Sequence, residues 1–243
     1  MNNYMEYFTN YIFNNYDMNN GLISLKYYHS LRVAKLMEIL ASKLDLNDKD
    51  KLLAFKLGLC HDLGRFYEVT RMGKFKDTVF DHGSYSNKIL YNDSFIDYMD
   101  VDEHLLFRKA VYNHNKKDVT KDLNERENLF VNLLRDADKI DILWLRSFGK
   151  PLEFSKAAHP RILNNYLDNK SLDLKDIKSS TDSTILYLSF FKDLYHKVSH
   201  DLVDDYEYLK LFLDNVIVDD NMKELFNCLV NKVNEERGKV YVR

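Results

Sequence analysis

The chain has 243 residues, a net charge of -3, 30% charged residues and two cysteines. That length suits a helical domain with an ample core; the charge balance argues against general nucleic-acid binding, and two cysteines exclude a disulfide framework or a thiolate zinc site. Seven glycines and two prolines are few against average usage of about 7% and 5%, so the chain is read as all-α with long uninterrupted helices.

In chain order, Tyr4, Tyr7, Phe8 and Tyr11 fall at helical spacing and are assigned to core or interface. His29, Val33, Leu36 and Leu40 follow i, i+4, i+7, i+11, which aligns an imidazole with a buried stripe. The next helix takes Asn47 or Asp48 as N-cap, puts Leu53, Leu57 and His61 on one face, and is expected to stop at Gly64. Neighbours on a helix differ by about 100°, so His61 and Asp62 both reach one ion near the helix end. The stretch 67–80, with Arg71, Gly73, Lys74 and Lys76, is read as a flap over the site. Asp81 caps a helix that presents His82, Ser86 and Ile89, and Phe107, Ala110, Val111 and His114 repeat the pattern. On a fifth helix Phe130, Leu134, Asp138, Asp141 and Leu145 are in phase. A carboxylate inside an apolar stripe requires a partner, because an unpaired buried charge is costly.

Beyond residue 146, the stretch 148–160 is predicted to be irregular and 170–183 to be a loop, with helices near 184–200, 203–217 and 220–236. Residues 1–146 are expected to form a helical metal-binding core and 147–243 a C-terminal helical region packed on it in one domain. His104, His159, His196 and His200 are assigned surface or structural roles. The first ten residues lack a basic start and an apolar core, and no stretch approaches the roughly 18 apolar residues of a span. A cytoplasmic protein with no membrane partner is expected.

Taken singly, these polar residues have plain structural readings. A His-Asp pair is common, His114 can end a helix whose dipole favours cations, and Asp138 can pair with Arg135 or Arg146. Together, His29, His61, Asp62, His82, His114 and Asp138 are imidazoles and carboxylates on inward faces, the donors that borderline metals prefer. A dinuclear metal site accounts for that consistency.

The order H…HD…D, at His29, His61-Asp62 and Asp138, resembles the HD superfamily of metal-dependent phosphohydrolases. H-S-L-R-V at 29–33, H-D-L-G-R at 61–65, D-H-G at 81–83 and D-A-D-K-I-D at 136–141 are similar to its signature stretches. His82 and His114 resemble the branch that holds two metals. The resemblance implies one ion on His29, His61, Asp62 and Asp138, with Asp62 bridging to a second on His82 and His114. It also implies a metal-bridging hydroxide as nucleophile on a phosphoester or phosphoanhydride. The GYP element of the cyclic-dinucleotide branch is missing, and Asn115 stands where that branch has a second consecutive histidine, which argues against a cyclic-dinucleotide substrate.

Phosphate chemistry calls for cations, and Arg32, Arg65, Lys116 and Lys117 are the candidate substrate-binding residues, with Asp62 and Arg65 as the catalytic pair. Asp141 is a candidate for orienting a ligand histidine. The expected partner is a small phosphorylated molecule such as a nucleotide, and the expected cofactor is two divalent ions, with manganese, iron, zinc, cobalt, nickel and magnesium all open. A di-iron oxygenase and a non-catalytic nucleotide sensor are the alternatives.

Overall fold

A computed structural model describes residues 2–76 and 79–242 of the chain. The architecture is helical throughout, apart from one short strand pair. Two compact units are distinguished, Met1–Asp138 and Lys139–Arg243. Among the described residues no helix is long and apolar enough to cross a membrane.

The first unit contains α1 (Asn2–Asn15), α2 (Gly21–Lys43), α3 (Asp48–Cys60), α4 (Leu63–Met72), α5 (His82–Asn92), α6 (Val101–Asn113) and most of α7 (Glu125–Phe148), which runs on into the second unit. Helix starts follow their capping residues. Asn20 accepts from Leu22 N at 2.9 Å, Asn47 from Asp50 N at 2.9 Å, and Asp81 from Ser84 N at 3.2 Å, each satisfying a donor that the first turn leaves without an intrahelical partner. Ile23, Tyr27, Ser30, Ala34, Met37 and Ala41 of α2 are buried at i, i+4, i+7 spacing, the stripe expected of a core-facing helix. Tyr4 and Phe8 are buried on α1 as expected, with Tyr4, Tyr7 and Tyr11 packed edge-on to Phe95.

Small residues fix how closely α2 and α3 approach. A Cβ added at Gly58 would lie 2.4 Å from Ala34 Cα and 2.9 Å from Val33 C, so the two backbones are in contact there. This crossing lies one turn before His61 and just over one turn after His29.

Gly64 departs from its expected role. Helix α3 ends at Cys60, α4 begins at Leu63, and Gly64 lies inside the new helix instead of terminating the old one. Its missing side chain admits α5, since a Cβ there would fall 2.4 Å from His82 O. The left-handed C-cap belongs instead to Gly73, φ 68°, which ends α4.

The second unit holds β1 (Leu152–Phe154), α8 (Pro160–Leu167), α9 (Ser180–Lys192), α10 (Lys197–Asp205), α11 (Tyr208–Asp214), β2 (Val216–Val218) and α12 (Lys223–Val242). β1 and β2 pair in parallel, Leu152 opposite Val216. The strand pair corrects two expectations: 148–160 is not wholly irregular, and 203–217 is not one helix. The expected loop 170–183 also yields at its end, because Ser179 and Asp182 form a reciprocal capping box that starts α9 at Ser180. The stretch 184–200 is two helices, interrupted at 193–196. His200 is a structural histidine, its Nε2 lying 3.0 Å from Leu194 O.

Gly58→Ala is expected to lower stability by about 1–3 kcal/mol, the usual effect of overpacking. Gly238→Ala, in open space at an exposed position of α12, should raise it by up to about 1 kcal/mol through helix propensity. Urea midpoints of the two variants check the contrast, and a Gly58 variant as stable as wild type would contradict the close contact.

Candidate metal centre

Six candidate ligands come from six helices or their ends. His29 lies in α2 and Asp138 in α7, whereas His61 is the C-cap of α3, Asp62 occupies the N-cap position of α4, His82 is the first residue of α5, and His114 is the C-cap of α6. The four histidines and Asp62 are buried, and the Asp138 side chain is 22% exposed.

Their donor atoms converge in two sets that share one carboxylate. His29 Nε2 lies 3.2 Å from His61 Nε2, 3.2 Å from Asp138 Oδ1 and 3.4 Å from Asp62 Oδ2, and His61 Nε2 lies 3.5 Å from that same Asp62 oxygen. On the other side, His82 Nε2 and His114 Nε2 are 3.1 Å apart, and each is 3.5 Å from Asp62 Oδ1. Bonds of about 2.0–2.2 Å from N or O to a divalent ion place adjacent donors of a tetrahedral or octahedral shell about 2.8–3.6 Å apart. The observed separations match such a shell.

Two of the imidazoles have their tautomer fixed by backbone. His61 Nδ1 donates to Gly58 O at 2.8 Å and His114 Nδ1 donates to Val111 O at 2.7 Å. A carbonyl only accepts, so each Nδ1 carries the proton and each Nε2 turns its lone pair toward Asp62, the arrangement that metal-binding histidines use. Arg135 donates to the carbonyls of Asn113, His114 and Lys116 at 2.8, 3.1 and 2.7 Å, and so holds the end of α6 in place. The Asn115 amide lies 3.3 Å from His82 Nδ1 and 3.1 Å from Asp81 Oδ1.

The charges are consistent with metal-competent forms. Burial opposes ionisation of Asp62, but Lys26 and the surrounding histidines outweigh it and hold the carboxyl well below its ordinary range. Burial likewise opposes Asp138, which His29 and His61 hold low. Burial pushes His82 well below its usual value, with the Arg65 charge adding to the effect, and burial lowers His114 as well. Both rings are therefore neutral at pH 7. Cys60, next to His61, takes no part as a thiolate, because burial pushes its thiol up to about 12.

Three residues beside the cluster were not singled out by sequence. Lys26, one turn before His29, pairs with Asp62 Oδ2 at 2.6 Å. Glu68, fully buried, receives Arg65 Nη1 at 2.7 Å and Lys76 N at 2.5 Å. Phe75 places its ring 5.4 Å from Lys26 Nζ and 5.2 Å from the Arg65 guanidinium carbon. The available signal was the i, i+3 spacing of Lys26 to His29 and of Arg65 to Glu68, which places the members of each pair on one helix face.

Of the cations expected to bind phosphate, Arg65 is buried with Nε 3.9 Å from Asp62 Oδ1. Arg32 is half-buried in α2, Lys117 is exposed, and Lys116 turns its ammonium to Asp81. The stretch 67–80, expected to be a loop, is helical over 67–72, which belong to α4. Positions 77 and 78 lie outside the described residues. Asp141 is buried.

An all-helical unit whose helices and helix ends bring imidazoles and carboxylates to one buried point has the donor set of a metal-binding domain. Residues 27–143, just under half of the chain, match the family model described as the HD domain, which supports the resemblance to the HD superfamily of metal-dependent phosphohydrolases. HD domains bind divalent metals, and their general activity is metal-dependent hydrolysis. No curated protein and no solved structure matches the chain.

The metal-free protein should lose stability in two stages on acidification. Unfolded His82 and His114 take up protons near pH about 6.5, while the folded rings, with lowered pKa values, stay neutral. The unfolded state then binds more protons, and stability falls as pH drops below that value. Asp62 and Asp138 stay ionised in the fold below the ordinary aspartate value of about 3.9, so their contribution is present above it and is lost below. Urea midpoints of chelator-treated protein from pH 8 to 4 test the first stage. A His82→Gln, His114→Gln double variant with an equally steep decline between pH 7 and 5 would exclude these two rings as its source.

Proposed function

We propose that the protein is a phosphohydrolase with two divalent ions, cleaving a phosphoester or phosphoanhydride of a nucleotide or small phosphorylated metabolite. The observation that carries this reading is Asp62. One oxygen faces His29 and His61, the other faces His82 and His114, as a carboxylate bridging two ions must. His29, His61 and Asp138 would complete one site, and His82 and His114 the other. When bound, the ions supply Lewis acidity and a water acidified toward neutrality.

The chain's own residues supply order and charge. Gly58 O and Val111 O keep two Nε2 lone pairs directed inward. Glu68 holds Arg65 beside Asp62 through a buried ion pair, and a guanidinium presents a planar fork that suits two phosphoryl oxygens. The buried setting strengthens each of these interactions relative to water.

The test is phosphate release by chelator-treated protein reloaded with manganese, iron, cobalt or magnesium, across nucleotides and sugar phosphates. Silence across the panel with every metal would overturn the reading. Asp62→Ala is expected to abolish turnover and lower metal content, and His82→Ala to remove one equivalent of metal while the other remains. Arg65→Ala should keep its metal and lose about 10²–10³ in kcat, the usual loss when one donor to developing charge is removed. Elemental analysis beside steady-state kinetics separates these outcomes.

A further inference from the structure

We propose that Lys26 is a phosphate-binding residue of this centre, seated beside Arg65 at the ring of Phe75; the proposal rests on the phosphohydrolase reading and adds a substrate contact to it. Lys26 and Arg65 flank the same carboxylate, with Lys26 Nζ 2.6 Å from Asp62 Oδ2 and Arg65 Nε 3.9 Å from Asp62 Oδ1. Both lie over the ring of Phe75, at 5.4 and 5.2 Å from its centroid, so one aromatic ring accompanies two positive charges beside the cluster. Glu68 ties the guanidinium and the segment carrying Phe75 together, through Arg65 Nη1 and Lys76 N. The Lys26 side chain is 15% exposed against 3% for Asp62, so the ammonium forms the outer side of the pair, within reach of an incoming ligand.

Charge balance gives this arrangement its chemistry. Without metal, the carboxylates of Asp62, Asp138 and Glu68 outnumber the cations Lys26 and Arg65 by one. Two divalent ions would turn that deficit into a surplus of three positive charges, and Asp62, the carboxylate beside Lys26 and Arg65, would be among the residues that hold them. Arg65 keeps its ion pair with Glu68, whereas the ammonium of Lys26 would share its carboxylate with the ions. An anion of the size and charge of a phosphoryl group would offset that surplus, and lysine offers it a compact point charge beside the planar fork of arginine.

The experiment is calorimetric titration of the full chain, first with Mn2+ alone and then, on the Mn2+-loaded protein, with inorganic phosphate. Lys26→Met should bind Mn2+ at least as tightly as wild type, because an ammonium competing for Asp62 Oδ2 is gone. It should bind phosphate about tenfold more weakly, the scale of one charge-assisted hydrogen bond. Lys26→Arg keeps the charge and should restore phosphate affinity, whereas Lys223→Met, an exposed lysine of the second unit, should change neither. Unchanged phosphate affinity in Lys26→Met, or joint loss of Mn2+ and phosphate that Lys26→Arg does not reverse, would reduce Lys26 to an internal partner of Asp62. A wild-type protein that binds Mn2+ and then phosphate through Lys26, yet releases phosphate from nothing on the panel, would defeat the hydrolase reading while leaving this contact in place.

Discussion

The structure of the first unit is organised around a carboxylate that has to be charged in a place where charge is costly. Asp62 is 2% exposed, and isolating an ion there carries an effective penalty of several kcal/mol. Its two oxygens meet different neighbours, His29, His61 and Lys26 at Oδ2, and His82 and His114 at Oδ1. The carboxylate also sits at the junction of α3 and α4, between a C-cap and the first residue of a new helix. Any shift of that junction therefore changes both donor sets together.

Helix ends do much of the work of delivering ligands. The last carbonyls of a helix lack intrahelical partners, and α3 and α6 use theirs in the same way: the capping histidine folds back so that Nδ1 donates to the carbonyl three residues earlier. One hydrogen bond thus satisfies a backbone acceptor and orients a ligand. His82, at the opposite kind of terminus, begins α5, where the positive end of the dipole favours a neutral ring. Close backbone contacts set the distances between these ends. Gly58 lets α2 meet α3, and Gly64 lets α4 meet α5, so the residues with no side chain decide where the imidazoles can be.

Sequence carried the inward faces and less of the local turns. His29 and Asp138 were legible because periodicity alone puts them on buried stripes, and the burial of Val33, Leu40, Phe130 and Leu134 agrees. Which oxygen of Asp62 faces which histidine depends on tertiary convergence, and no spacing along the chain encodes it. Gly64 misled because a glycine after a helix reads as a left-handed stop, while its actual use is close approach, with no positive φ. Lys26 and Glu68 were passed over because a lysine one turn from a histidine, or a glutamate one turn from an arginine, also describes ordinary solvated helix surface. In the second unit, strands of three residues are too short for alternation to be read.

The fold gathers the donors of α2 to α7 at coordination spacing, and that gathering has an energetic side. Folding aligns Nε2 atoms 3.1–3.2 Å apart in two pairs and places three carboxylates within one buried region, so organisation that a flexible site would complete on binding is completed by the fold. Such an arrangement is self-repelling in part. Lys26 relieves Asp62 and Arg65 relieves Glu68. A cation that binds the folded state alone stabilises it by mass action, so the carboxylates and imidazoles that the fold brings together and its affinity for metal are two aspects of one arrangement.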